Sequence, residues 1–168
     1  MTNDIYSYIK QISYDDFIKL FDSLDTGLVY IGGKWCDNCT SVLDIVVDEA
    51  KKQKLDCIYN YDPVFTNVYG EQEDLRDCKS LEIKLKYYAI VEKSHFKSDE
   101  LVKDTLIPKI HVPFFMAIIN GSCVGYYTVE LLKENGILHL INDDKDRTEE
   151  FRNNIKDLIS KLDYERLL

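Results

Sequence analysis

Two cysteines separated by two residues, in the segment WCDNC at residues 35–39, constrain this chain more than any other feature. An apolar run with β-strand character precedes them at residues 28–31, and Gly32 and Gly33 break that run. A pattern with helical spacing follows over residues 40–52. The order strand, turn, cysteines, helix predicts that both sulfur atoms lie in the first helical turn, within bonding reach of each other.

Composition limits the class of protein. The sequence contains no linker rich in Pro, Gly or Ser, so we expect one domain over residues 1–168. The net charge of −9 comes without clustered Lys and Arg, which argues against nucleic acid and anionic membranes as partners. There is no basic, apolar leader and no run of about 18 apolar residues, so we expect a cytoplasmic protein without membrane insertion. Five cysteines at irregular spacing do not suit a secreted disulfide framework.

The patterns around the cysteines predict a β-α-β unit. A first strand over residues 6–12 leads into a helix that Ser13 caps, and a third strand over residues 55–61 follows the cysteine helix. The helix that follows Ser13 is predicted to bury Phe17, Leu20, Phe21 and Leu24. The cysteines would then lie at the carboxyl end of a parallel strand, where open sheets place their sites.

The segment between Pro63 and Pro108 gives two competing patterns. Alternate apolar residues between 81 and 87 fit a strand, whereas a longer set fits the helix that we favour: Leu75, Cys78, Leu81, Leu85 and Tyr88. A second short helix is predicted to begin at Ser98, with Asp99 and Glu100 in its first turn, and to end before Pro108.

The last third of the chain predicts strands and then a helix. Strands over residues 114–119, 124–132 and 137–141 are separated by Asn-Gly pairs, the strongest short hairpin signal, which predicts an antiparallel meander. A final amphipathic helix is predicted to be capped by Thr148 and to bury Phe151, Ile155, Leu158, Ile159 and Leu162.

Two separated motifs resemble the thioredoxin family. They are Trp35-Cys-x-x-Cys39 at a strand-to-helix junction and Val112-Pro113, with Gly121 of a hairpin eight residues after the proline. The resemblance implies the α/β thioredoxin fold, a central mixed β-sheet flanked by helices, with Pro113 in cis and Val112 facing the cysteines. Relative to that fold we expect a largely helical insertion at about 64–107 and an extra C-terminal hairpin strand within 130–147.

The resemblance also implies a reaction, the reduction of protein disulfides. Cys36 would be the nucleophile and Cys39 the resolving residue, while Trp35, Val112 and Pro113 would bind the substrate. His111 is either a further substrate-binding or proton-transfer residue or a solvated loop histidine. No cofactor beyond the redox-active disulfide is expected. A structural pair or half a zinc site is the alternative, but no second CxxC or CxxH supplies further ligands.

Departures from the family leave a second function open. Where the family often buries an Asp and its Lys partner, this chain has Tyr30 and Ile58. The expected partners are protein or peptide disulfides and an electron-donating reductase, and the chain is expected to be a monomer. The alternative is a thioredoxin-fold adaptor, since short CxxC proteins accompany peptide export systems in some bacteria. Three further cysteines are expected to be inert or core residues: Cys57, Cys78 and Cys123.

Overall fold

A five-stranded mixed sheet forms the centre of the computed structural model, which describes residues 3–129, 132–135 and 137–163. The strands, in chain order, are β1 Ile9–Ile12, β2 Gly27–Ile31, β3 Ile58–Tyr61, β4 Val64–Thr66, β5 Gln72–Asp74, β6 Phe114–Ile119, β7 Ser122–Thr128, β8 Leu132–Glu134 and β9 Ile137–His139. The helices are α1 Asn3–Ser7, α2 Tyr14–Asp22, α3 Asp37–Lys52, α4 Leu81–Ser94 and α5 Lys145–Ser160. The central sheet has the order β1-β3-β2-β6-β7, parallel across its first three strands and antiparallel across the rest.

Helices cover both faces of this sheet. Neighbouring residues of a strand point to opposite faces, and in β6 the ring of Phe115 meets Phe151 of α5 while the ring of Phe114 meets Phe96, just after α4. Arg152 of α5 hydrogen bonds to Glu49 of α3, which joins these two helices on one face. The predicted mixed sheet flanked by helices is therefore confirmed. In the described part of the chain, no helix has both the length and the apolar character needed to cross a membrane.

The beginning of the chain differs from the prediction. Residues Asn3–Ser7 form the short helix α1, so only the second half of the predicted first strand is a strand. The Ser13 cap of α2 is confirmed, because its hydroxyl accepts a hydrogen bond from the N–H of Asp16. Leu24 was wrongly predicted to be buried: it has a positive φ of 58° and lies exposed beyond the end of the helix.

The segment between β3 and β6 contains a β4–β5 hairpin, a 3-10 turn at Leu75–Asp77 and then α4. The favoured helix is present, but its predicted stripe is wrong: Leu81, Leu85 and Tyr88 are exposed, whereas Tyr87, Ile90 and Val91 are buried. The predicted helix after Ser98 is also wrong. Asp104 adopts a positive φ of 61°, and the hydroxyl of Thr105 accepts a hydrogen bond from the N–H of Ile107, so the chain folds back as a loop.

The C-terminal part is only partly a meander. The Asn120-Gly121 hairpin is confirmed, with positive φ values of 49° and 77° at the two turn residues. β8 and β9 pair with each other as a separate two-stranded sheet, so the single meander was wrong. Gly136 of the second predicted turn lies outside the described residues. The cap of α5 is Asp144, not Thr148, while the predicted buried stripe of this helix is confirmed.

Candidate active site

The two cysteines lie at the start of α3, directly after the loop that leaves β2. Cys36 is the N-cap residue, and its Sγ accepts a hydrogen bond of 3.2 Å from the N–H of Cys39. The two residues form a disulfide with their Cα atoms 5.2 Å apart. Cys36 is half-buried, whereas Cys39 is fully buried. The pair is therefore asymmetric, with one sulfur near the surface and the other inside the protein.

The loop before β6 lies opposite Cys36. The peptide bond between Val112 and Pro113 is cis, and the carbonyl oxygen of Val112 is 4.0 Å from Cys36 Sγ. Thr128 at the end of β7 holds this loop, because its hydroxyl donates a hydrogen bond of 2.9 Å to the carbonyl of His111. The fold thus brings together two motifs that are 76 residues apart in the sequence.

Trp35 forms an exposed rim beside the cysteines, with 47% of its surface accessible. Its Nε1–H donates a hydrogen bond of 3.0 Å to Asp62 Oδ1, and the same oxygen accepts a hydrogen bond from the N–H of Val64. Asp62 at the end of β3 therefore fixes both the indole ring and the first residue of β4. No pattern in the sequence identified this pairing of Asp62 with Trp35.

Arg76 connects the inserted segment to this rim, and no sequence signal identified it. Its guanidinium carbon lies 5.7 Å from the centre of the Trp35 ring. Its Nη1 donates a hydrogen bond of 3.1 Å to the carbonyl of Ile110, and its Nη2 pairs with Asp74 at 2.8 Å. One side chain thus contacts the tryptophan rim, the loop that carries the cis bond and the β5 strand.

His111 lies on another side of the same loop. Its Nε2 is 2.5 Å from Glu100 Oε2, and this hydrogen bond holds the pKa of the Glu100 carboxyl below its usual value. Both residues line a groove of about 460 Å³, together with Tyr126 and Val129 of the neighbouring sheet edge. The structure places His111 beside the residue that faces Cys36, and its role stays a prediction.

Asn38, between the two cysteines, ties the motif to the C-terminal part of the chain. It is buried, and its Oδ1 accepts a hydrogen bond of 3.1 Å from the N–H of Ile141. Its Nδ2 has no hydrogen-bond partner in the described residues. This contact joins residues 103 positions apart, and no pattern in the sequence predicted it.

The end of β2 is held by Asn60 of β3. The Asn60 side chain donates to the carbonyls of Tyr30 and Gly32, at 3.0 and 3.1 Å, and accepts a hydrogen bond from Gln11 of β1. Three strands are therefore locked together just below the cysteine loop. The position of the loop follows from this buried amide.

The remaining cysteines lie elsewhere. Cys57 and Cys123 are half-buried and Cys78 is buried, and none of the three is bonded to another cysteine. Burial raises the pKa of Cys78 and Cys123, which makes these thiols less reactive. Among the described residues, no group of three or more His, Cys, Asp or Glu side chains is placed to hold a metal ion.

Comparisons with known proteins add little beyond this geometry. No family model matches the chain, and no curated protein matches it. Among solved structures, the chain is similar to oxidised mitochondrial thioredoxin 3 from Saccharomyces cerevisiae, with 13% identity and a TM-score of 0.44 over 92% of this chain and 99% of that one. It is also similar to the long form of spinach chloroplast thioredoxin F, with 14% identity and a TM-score of 0.40 over 92% and 94%.

Neither similarity supports a conclusion about activity, because both TM-scores are below 0.5. The thioredoxin-like character of the fold rests instead on the chain itself, on the mixed sheet and on the CxxC disulfide between β2 and α3. The resemblance drawn from the sequence is confirmed at this level, and the roles of the individual site residues stay predictions.

Proposed function

We propose that this chain is a thiol-disulfide oxidoreductase that reduces protein disulfides through Cys36 and Cys39. The observation that carries the proposal is the asymmetric disulfide at the start of α3. The outer sulfur belongs to the N-cap residue and faces the carbonyl of Val112, while the inner sulfur is fully buried. This is the arrangement that a two-step exchange reaction requires, with one accessible attacking sulfur and one protected resolving sulfur.

The position of Cys36 favours its reactive form. A thiolate is the nucleophile in disulfide exchange, and an ordinary cysteine with a pKa of about 8.5 is mostly protonated at neutral pH. At the N-terminus of a helix, unpaired N–H groups and the helix dipole stabilise a negative charge. The N–H of Cys39 already points at Cys36 Sγ, at 3.2 Å. The reduced protein therefore has a hydrogen bond ready for the thiolate.

The reaction has two exchange steps. The Cys36 thiolate attacks one sulfur of the client disulfide, which forms a mixed disulfide and releases the other client sulfur as a thiolate. Cys39 then loses its proton to solvent and attacks Cys36 Sγ, so that the Cys36–Cys39 disulfide forms and the second client thiolate leaves. Each released thiolate takes up a proton. The protein dithiol supplies two electrons, and a second dithiol or a reductase must restore it.

The client is held by the surface around Cys36. Trp35 offers a flat, half-exposed ring on one side, and Val112 with Pro113 offers backbone groups on the other. An extended client segment would hydrogen bond to this loop in the manner of an added strand. The proposed setting is the cytoplasm, with a monomeric chain and no cofactor other than its own disulfide.

Insulin reduction by dithiothreitol tests the activity. Wild-type protein should accelerate precipitation of the insulin B chain, and Cys36→Ser should lower the rate to that of dithiothreitol alone. Cys123→Ser is the matched control, since it removes a half-buried free cysteine outside the pair, and it should keep the wild-type rate. Equal rates for wild type and Cys36→Ser would contradict the proposal and favour the adaptor function.

A trapping experiment identifies the clients. Cys39→Ser removes the resolving sulfur, so that clients should stay covalently attached to Cys36 until a reductant is added. The double variant Cys36→Ser/Cys39→Ser should capture nothing. If Cys39→Ser stays empty in cells under oxidative challenge, reduction of protein disulfides is not the function.

A further inference from the structure

Tyr30 of β2 has a buried hydroxyl group without a hydrogen-bond partner in the described structure. The residue is 1% exposed, and its ring stacks on Phe115 with ring centres 5.5 Å apart. The backbone carbonyl of Tyr30 is bound by Asn60, but its Oη has no hydrogen-bond partner among the described residues. A buried polar group without a partner is unfavourable, and native proteins rarely keep one without a reason.

The inner sulfur of the disulfide lies close to this hydroxyl. A methyl group placed on the Cα of Gly32 would lie 2.7 Å from Tyr30 Oη and 2.8 Å from Cys39 Sγ. The oxygen and the sulfur therefore border the same small space, which stays open because residue 32 has no side chain. Both side chains that border it are buried, since Cys39 is 0% and Tyr30 1% exposed.

Opening of the disulfide would give the Tyr30 hydroxyl a hydrogen-bond acceptor, the sulfur of Cys39. A sulfur in a disulfide is uncharged and a poor acceptor, whereas a thiolate is a strong acceptor for an O–H donor. Inside a protein the low dielectric makes a hydrogen bond to a charged acceptor stronger than it is in water, so such a bond would stabilise a charge on the buried Cys39.

We propose that the Tyr30 hydroxyl donates a hydrogen bond to Cys39 Sγ when the disulfide is open, and so stabilises the Cys39 thiolate that resolves the mixed disulfide. This role rests on the proposed function, because it belongs to the second exchange step. The Cys39 proton goes to solvent, the new Cys36–Cys39 bond forms, the bond between Cys36 and the client breaks, and Tyr30 keeps its own proton throughout.

The electrostatics agree with a donor that does not ionise. Burial raises the pKa of Tyr30 above its ordinary value, and the nearby Asp62 and Tyr6 act in the same direction. A phenol of this kind stays protonated at every physiological pH, so it can donate a hydrogen bond but cannot act as the base for Cys39.

Stopped-flow reaction with 5,5′-dithiobis(2-nitrobenzoate) separates the two steps. The reagent is added at less than one equivalent. Cys36 attacks it, forms a mixed disulfide and releases one coloured thionitrobenzoate ion. Cys39 then attacks Cys36 Sγ and releases the second thionitrobenzoate ion. Tyr30→Phe should leave the first phase unchanged and slow the second about three- to tenfold. Loss of one charged hydrogen bond costs about tenfold in thiolate, and the higher nucleophilicity of a more basic thiolate restores part of the rate.

Tyr8→Phe is the matched control, because Tyr8 also has a buried hydroxyl without a partner, close to Cys57 rather than to the disulfide. Both of its phases should equal those of wild type. An unchanged second phase in Tyr30→Phe, or equal slowing of both phases, would overturn the proposal. The reagent takes the place of a client disulfide, so the two proposals can fail separately. If the wild-type protein does not reduce insulin but Tyr30→Phe still slows only the second phase, the proposed function is wrong and the role of Tyr30 stands.

A second measurement covers the case in which Tyr30→Phe does not fold. In wild-type protein labelled at tyrosine ¹³Cζ, the Tyr30 signal is assigned through the contact of its ring with Phe115. Reduction by dithiothreitol should shift this signal, because the hydroxyl gains an acceptor. A Tyr30 signal at the same position in both redox states would overturn the proposal.

Discussion

Arg76 is expected to hold the inserted segment against the rim of the active site, and Arg76→Ala tests this. The substitution removes a hydrogen bond of 3.1 Å to the carbonyl of Ile110 and a ring contact of 5.7 Å with Trp35. It also removes the 2.8 Å ion pair with Asp74, in which the two side chains are only 16% and 19% exposed. Three separate elements lose their common contact.

The expected cost follows from these three contacts. A hydrogen bond from a charged donor contributes about 1.5–3 kcal/mol, and a cation–π contact about 0.5–1 kcal/mol. Asp74 also loses its partner in a mostly buried position, although its Oδ1 keeps the hydrogen bond from the N–H of residue 76. Because such contributions overlap, we expect the free energy of unfolding to fall by about 2–4 kcal/mol.

Urea unfolding gives this number directly. Trp35 is the single tryptophan of the chain, so its fluorescence reports on the site itself, while circular dichroism reports on the whole fold. The native fluorescence of Arg76→Ala should shift to longer wavelength, because the ring loses its cover. Arg76→Lys keeps the charge but not the planar fork, and it should recover only part of the stability.

The matched control is Lys86→Ala. Lys86 has the same two kinds of contact, an ion pair with Glu82 and a ring contact with Tyr14, but its pair is 39% and 79% exposed. It should cost less than about 1 kcal/mol. The reasoning is refuted if Arg76→Ala loses no more stability than this control and leaves the Trp35 emission unchanged.

Two further predictions concern charge in the core. Burial raises the pKa of three tyrosines, so the unfolded chain ionises first and stability should fall above about pH 10, by up to about 4 kcal/mol per pH unit for Tyr30, Tyr61 and Tyr87 together. Urea midpoints between pH 8 and 11 measure this, and a flat profile would contradict it. Arg152→Ala removes the 2.7 Å partner of Glu49, whose side chain is 5% exposed, and among the described residues leaves it the Lys52 ammonium at 3.6 Å, so it should cost about 2–4 kcal/mol. Asp48→Ala, at an exposed partner of the same arginine, should cost less than about 1 kcal/mol, and equal losses in urea unfolding would show that burial is not the cause.

Local chemistry explains the predictions that succeeded. Ser13 caps α2 because a serine just before the first helical turn can accept a hydrogen bond from the N–H three residues later. Asn120-Gly121 forms a hairpin because both residues tolerate a positive φ. The cysteine motif was placed correctly between a strand and a helix for the same reason. Each of these signals is complete within a few residues.

Tertiary packing explains the predictions that failed. The apolar stripe of α4 was assigned to Leu81 and Leu85, but the helix turns Tyr87 inward, where its hydroxyl donates to the carbonyl of Pro108 and accepts from the N–H of Ile110. Which side of α4 is buried therefore depends on a loop more than twenty residues away, and the sequence of the helix itself does not show this. The predicted helix after Ser98 fails for a local reason instead, because Asp104 adopts a positive φ and the Thr105 hydroxyl accepts a hydrogen bond from the N–H of Ile107.

The candidate site shows the same division. The motifs that carry Cys36 and Val112 could be recognised as residue patterns, but the partners of Trp35 could not, because they come from β3 and from the insertion. Tyr30 was noticed only as a departure from the family. Its hydroxyl, which has no hydrogen-bond partner in the described part of the chain, comes to lie beside the inner sulfur only when β2 and α3 are packed together.

The hydrogen bond between Asn38 and the N–H of Ile141 joins residues 103 positions apart. During synthesis the cysteine segment therefore leaves the ribosome long before its anchor exists. Until residue 141 is made, the Asn38 side chain lacks the hydrogen bond that it accepts in the folded protein, and by then Cys57, Cys78 and Cys123 have also been synthesised. The segment between the two cysteines can therefore gain this anchor only when nearly the whole chain has been made.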